Sequence, residues 1–235
     1  MQTIFRYKDR KFIIEPYRTE QEKELLLIPM YADKITDEEL AQCLEIVNLK
    51  LSYSELRELS TEEKMLFLYK YREVSIGDTL RVRYVCPHCK TNIDAEVKIP
   101  QIFKEAKVKG FMDNNRNISK NDIKFLVPED LDFKTLKQIE SNYTDYCNTY
   151  DFNTTAKCAK CGDSTIINIG KPDLCVDNMS EKSINGLYSE INDLCFYSHY
   201  TYNDVMRMYP FERDILKGLL EKTLKKSSEN TSKIL

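Results

Sequence analysis

With 235 residues, 42% hydrophobic and 31% charged, the chain has the length and composition of a folded protein with room for a sizeable core. Its 35 basic and 38 acidic side chains leave a formal net charge of −3, which argues against a nucleic-acid binder that relies on counterion release. No stretch approaches about 18 uncharged apolar residues, so no membrane-spanning helix is expected, and the polar opening Met1 to Arg10 does not read as a signal peptide.

Thr3 to Tyr7 and Lys11 to Glu15 read as two strands joined at Lys8-Asp9-Arg10, with Pro16 ending the second. Three helices then announce themselves through capping boxes, a Ser or Thr followed three residues on by Glu. Thr19 with Glu22 opens the first, which runs toward Pro29. Thr36 with Glu39 opens the second, whose buried stripe is Leu40, Cys43, Leu44, Val47 and Leu51. Ser60 with Glu63 opens the third, where Met65, Leu68 and Tyr69 share a face as far as Val74. Ser75-Ile76-Gly77-Asp78 is the expected turn out of this helix and into a strand.

Next come two cysteine knuckles, Cys86-Pro87-His88-Cys89 and Cys158-Ala159-Lys160-Cys161-Gly162. Each is flanked by strand patterns. Leu80, Val82 and Tyr84 alternate with Arg81, Arg83 and Val85, and Ile93, Ala95, Val97 and Ile99 alternate with Asp94, Glu96 and Lys98. Thr165 to Ile169 is β-branched apart from Asn168. Two cysteines separated by two residues turn both sulfurs toward one point, and Gly162 suits the positive φ of such a turn. Strand, knuckle, strand, twice over, is the layout of a zinc ribbon, with Cys86, Cys89, Cys158 and Cys161 as ligands of one structural Zn2+. The other readings are two unmetallated thiol pairs, or redox catalysis at Cys-Pro-His-Cys. The redox motif opens a helix, whereas Lys90-Thr91-Asn92 leads into strand alternation. A zinc deaminase needs His-x-Glu upstream of its cysteines, and neither His88 nor His199 supplies it.

Between the knuckles lies a polar insert. Lys109 to Lys120 reads as a turn-rich loop, Ile123 to Val127 as a strand and Phe133 to about Cys147 as a helix. It carries no Gly-rich phosphate loop and no His/carboxylate cluster. After Pro172 the chain turns helical again. Leu187, Ile191, Leu194 and Cys195 share a face, and a short helix starts at Asn203-Asp204. Pro210 suits the first turn of a last helix bearing Phe211, Ile215, Leu216, Leu219, Leu220 and Leu224, with fraying expected from Lys225. Cys43 and Cys195 read as buried apolar residues, and Cys147 and Cys175 show no pairing logic. That usage fits a reducing compartment and metal binding. Arg81, Arg83, Lys90 and Lys98 form either a solvated strand face or a local basic surface.

The reading is therefore α+β: an N-terminal β-hairpin and helical bundle, a central four-cysteine zinc ribbon with an insertion, and C-terminal helices. The expected segments are residues 1–78, 79–175 with the insert at about 100–150, and 176–235, the last packing with the N-terminal helices.

Three stretches taken in order carry a resemblance: Phe67 to Asp78 running into a strand and Cys-x-x-Cys, the paired knuckles, and Tyr202-Asn203-Asp204 followed by Tyr209 to Ile215. Their order resembles the baseplate hub assembly proteins of T4-type contractile-tailed bacteriophages. The resemblance implies a non-enzymatic role in virion assembly, in which the protein helps to build, or becomes part of, the central hub of the tail baseplate. Its partners would then be other baseplate and hub proteins in a hetero-oligomeric assembly. It would work in the host cytoplasm, and as a hub subunit it would end in the virion tail. The competing class is a nucleic-acid-binding zinc-ribbon regulator, resting on Arg81 and Arg83.

Overall fold

Period-two alternation sets the first element. β1 (Thr3–Tyr7) and β2 (Arg10–Ile14) pair antiparallel, Phe5 opposite Phe12 and Thr3 opposite Ile14, so that Phe12 and Ile14 are buried while Ile13 is exposed. The Phe67 ring meets Phe5, Tyr7 and Phe12 edge-on at centroid distances of 5.4, 5.3 and 4.9 Å, which docks the hairpin onto the helices. The computed structural model describes residues 3–7, 10–99 and 152–232. The expected loop, strand and helix of the insert, and Cys147, lie outside the described residues.

Four helices come after the hairpin: α1 (Thr19–Tyr31), α2 (Asp37–Ile46), α3 (Tyr53–Glu58) and α4 (Thr61–Ser75). The Thr36/Glu39 and Ser60/Glu63 boxes cap α2 and α4 as expected. The expected Thr19/Glu22 box does not form. Thr19 is already helical, the Arg18 amide donates to Gln21 Oε1 at 2.8 Å, and Thr19 and Glu22 turn into the core. α1 also runs past Pro29, whose missing N–H falls in the last turn. α2 stops at Ile46, short of Leu51, because Asn48 adopts a left-handed conformation (φ 60°) that asparagine tolerates. Its place is taken by α3, capped by Ser52 and Glu55, a box beyond the three expected ones.

β3 (Thr79–Val85) pairs with β4 (Asn92–Lys98), and β5 (Asn153–Lys157) with β6 (Ser164–Asn168), both antiparallel. With β1–β2 these make three separate two-stranded sheets among the described residues. Helices α5 (Pro172–Asp177), α6 (Ile184–Ser198), α7 (Tyr202–Arg207) and α8 (Pro210–Ser232) complete the described chain. α8 stays helical to Ser232, past the expected fraying point at Lys225, although Ser227, Ser228, Asn230 and Thr231 are weak helix formers. The architecture is α+β.

One core runs through the hairpin, α1, α2, α4 and α5 and into the bases of the other two hairpins, where Leu80, Val82, Val97, Ile99, Phe152, Ala156, Ile167 and Ile169 belong to it. A second, smaller core holds Leu187, Ile191 and Leu194 of α6 and Val205 and Met206 of α7, with Leu26, Leu216 and Leu220 against them. Two buried arginines tie these parts together. Arg72, at the end of α4, donates through Nε to the Asn178 carbonyl at 2.8 Å, and its other nitrogens reach the Gly77 carbonyl and Glu181. This fastens the turn before β3, where Gly77 sits at φ 139°, to the loop after α5. Arg213 of α8 contacts Glu22 at 2.8 Å and Glu190 at 2.9 Å, and donates to Thr19 Oγ1 at 2.7 Å. Ser180 donates to Glu22 Oε1 at 2.6 Å, and Lys182 pairs with Glu190 and Asp214. The two ends of the described chain thus meet through a buried polar cluster rather than through apolar packing alone.

Candidate metal centre

The β3–β4 and β5–β6 turns have the same backbone construction. In the first, the Cys86 amide donates to the Thr91 carbonyl and the Lys90 amide to the Cys86 carbonyl, both at 2.9 Å. In the second, the Cys158 amide donates to the Asp163 carbonyl at 2.8 Å and the Gly162 amide to the Cys158 carbonyl at 2.9 Å. The residue after the second cysteine is left-handed in both, Lys90 at φ 56° and Gly162 at φ 80°. Glycine takes that conformation without strain; lysine does so only because the turn demands it.

All four expected cysteines come together. Cys86 Sγ lies 3.7 Å from Cys161 Sγ and Cys89 Sγ lies 3.7 Å from Cys158 Sγ, with all four sulfurs within 4.8 Å of one another. A disulfide needs about 2.05 Å, so these are thiols in van der Waals contact. Four sulfurs at about 2.3 Å from a tetrahedral zinc are separated by about 3.8 Å, close to the two cross-hairpin contacts. The residues present therefore fit a soft divalent ion of tetrahedral preference. Cys86 and Cys158 are buried, Cys89 is half-buried and Cys161 exposed, with Ile93 and Tyr84 packed behind the sulfurs.

Nearby donors differentiate the thiols. The Thr91 hydroxyl and then its amide hold Cys89 down at about 6, and the amides of Cys161 and Lys160 lower Cys158. At Cys161 the Asp163 amide favours the thiolate, but desolvation and the Cys158, Asp163 and Cys86 side chains outweigh it and push the thiol up to about 12. Burial, and then the four sulfurs, raise the Tyr84 hydroxyl. Thr91, Lys90 and Asp163 are contributors that ligand spacing does not reveal; the signal for them is the register of the hairpins, which places each beside a knuckle.

The basic residues on the strands of the first hairpin, Arg81, Arg83 and Lys98, are each paired with a carboxylate. Arg83 meets Asp94 at 2.8 Å, Arg81 lies 3.9 Å from Glu96, and Lys98 meets Asp78 at 2.8 Å. Opposite charges facing one another on an antiparallel pair make a solvated strand face. His88 of one knuckle stands 3.7 Å from Asp163 of the other. Among the described residues, no helix is long and apolar enough to cross a membrane.

The cysteines outside the centre have other surroundings. Cys43 and Cys175 are completely buried in the main core, and desolvation pushes both thiols up, Cys43 to about 12. The Cys175 thiol faces the Met65 carbonyl at 3.9 Å, which makes it a packed core residue.

A family model described as T4 bacteriophage base plate protein matches residues 2–130, and one described as Baseplate hub assembly protein Gp51 C-terminal domain matches residues 183–225. The first match includes the hairpin, α1 to α4 and the Cys86/Cys89 knuckle; the second takes in α6, α7 and the first two-thirds of α8. No curated protein and no solved structure gave a match to the chain.

Proposed function

This chain belongs to the T4 bacteriophage base plate protein family, and we propose that it serves as a non-enzymatic hub assembly protein with one structural zinc ion held by Cys86, Cys89, Cys158 and Cys161. The observation that carries the assembly role is the pairing, in one chain, of a base plate model over residues 2–130 with a hub-assembly model over residues 183–225. In this role the protein works in the host cytoplasm on other hub proteins, either as an assembly factor that departs or as a subunit that stays in the tail.

The zinc reading rests on donor chemistry: four sulfurs on two similarly built turns, at separations that suit a tetrahedral ion. When bound, the ion supplies folding free energy on the order of 10 kcal/mol to a small module, and no catalysis is required of it. In this reading the chain works as three segments, residues 1–78, 79–175 and 176–235, with the last joined to the first through Arg213, Thr19 and Glu22.

A phage lacking this chain tests the assembly role. Complete tails in normal yield without it would refute the reading, and arrest before a finished baseplate supports it. Mass spectrometry of finished particles separates a resident subunit from a factor that leaves. Metal analysis of the purified chain tests the zinc: one zinc per chain is expected, and a fully folded chain purified without metal overturns it.

A further inference from the structure

α8 packs one face on this chain and leaves two large apolar side chains, Ile215 and Leu219, exposed on the neighbouring face. Arg213 is buried, and Leu216 and Leu220 pack on α6 and α7, so these residues mark the inward side. On the outward side Ile215 is 60% and Leu219 55% exposed, with Phe211 beside them. The row they belong to reads Glu212, Ile215, Leu219, Thr223, Lys226, with spacings of three, four, four and three residues. That is the period of a helix–helix seam. It is symmetric in position about Leu219 and opposite in charge at its two ends.

We propose that this face pairs antiparallel with α8 of a second copy of the chain, crossing at Leu219. An antiparallel crossing there puts Leu219 against the partner's Leu219 and Ile215 against the partner's Thr223. Because Glu212 and Lys226 lie equally far from Leu219, each Glu212 meets the partner's Lys226, and both ion pairs form by symmetry. A parallel pair would set like charges opposite, so the charge order selects direction as well as partner. Thr223 donates its hydroxyl back to the Leu219 carbonyl at 3.0 Å, so it satisfies its polar atom within the helix.

The test is sedimentation equilibrium of the full chain over a wide concentration range. A monomer–dimer equilibrium is expected, and Leu219→Asp should abolish it while leaving the circular dichroism spectrum and thermal midpoint unchanged at concentrations where the parent is monomeric, since Leu219 is exposed in the monomer. Glu212→Lys and Lys226→Glu should each raise the dimer dissociation constant about fivefold at low salt, and the double reversal should restore it. Glu212 also accepts from the Tyr209 amide at 3.0 Å, so Glu212→Gln, which keeps the acceptor and removes the charge, should weaken pairing without loss of the helix start. A chain that stays monomeric, a dimer indifferent to Leu219→Asp, or reversals that add instead of cancelling would each overturn the proposal. A monomer that binds a helix of another tail protein through this face counts as the first of these.

Discussion

Arg213→Met removes the cation that holds the two ends of the described chain together. The guanidinium sits between two carboxylates, 2.8 Å from Glu22 and 2.9 Å from Glu190, with all three side chains at most 2% exposed. At an effective dielectric of about 20, each contact has a gross Coulomb energy of roughly 6 kcal/mol, most of which offsets the cost of burying the ions. The net loss on deletion is therefore set by what stays behind. Glu22 would keep Ser180 as a donor and Glu190 would keep Lys182, but neither would have a fully buried cation. Removing one partner of such a cluster costs about 3–5 kcal/mol, and partial compensation by Lys182 places this case near 3. Against a total stability of about 5–15 kcal/mol that is a large fraction. Urea unfolding followed by circular dichroism measures it. The triple variant Arg213→Met, Glu22→Gln, Glu190→Gln should regain most of the loss, because neutral side chains of similar volume carry no unpaired charge. A single variant within about 1 kcal/mol of the parent, or a triple variant no more stable than the single, would refute the reasoning.

Zinc chelation should open the tips of the two cysteine hairpins while the helices persist, because only Cys86, Cys158 and Ile93 are buried there and the hairpin bases belong to the main core; hydrogen exchange at the Lys90 and Gly162 amides reads it, against helical circular dichroism. Cys158→Ser should do the same. Cys175→Ser, at a cysteine outside both knuckles, should instead lower global stability by about 1–2 kcal/mol, since it puts a hydroxyl in a fully buried site; denaturant midpoints compare the two. Lys90→Gly should raise the stability of the holo protein by up to about 1 kcal/mol by relieving a left-handed lysine, and Gly162→Ala should lower it by a similar amount; thermal midpoints decide. Glu55 is held down at about 2 by the Ser52 amide and hydroxyl and by Arg10. Its folded value lies below the ordinary 4.5, so its contribution is complete above that range and is lost as pH falls from about 4.5 toward 2. Glu55→Gln should flatten that part of a stability–pH curve, and an unchanged slope would contradict the assignment.

Local chemistry explains what can be anticipated from pattern. The Thr36/Glu39 and Ser60/Glu63 caps involve neighbours in sequence, so pattern alone locates α2 and α4. The four knuckle cysteines are equally legible, because ligand geometry restricts their spacing to a short turn. Thr19 and Glu22 spell the same capping pattern and do not cap, because Arg213, which satisfies both, arrives from the far end of the chain. Ser52 and Glu55 spell it as well and do cap, but the apolar stripe of α2 continues in sequence to Leu51 and masks the helix start behind it. Arg72 lies in the Phe67–Asp78 stretch that carries the family resemblance; its three partners, Gly77, Asn178 and Glu181, become visible only once α4 and the loop after α5 are packed together.

Hydrogen bonds and side-chain periods acting over a few residues were enough to place most strands and helices, the four knuckle thiols and the left-handed glycine at 162. The approach of the two knuckles follows from one ion needing four ligands, whereas the fusion of hairpin bases with the helical core and the residues that form the clasp between α1 and α8 came from folding in three dimensions. Those contacts join residues up to 194 positions apart in the chain. Their partners are selected by burial and by charge compensation in a common interior, and neither quantity exists until the interior has formed.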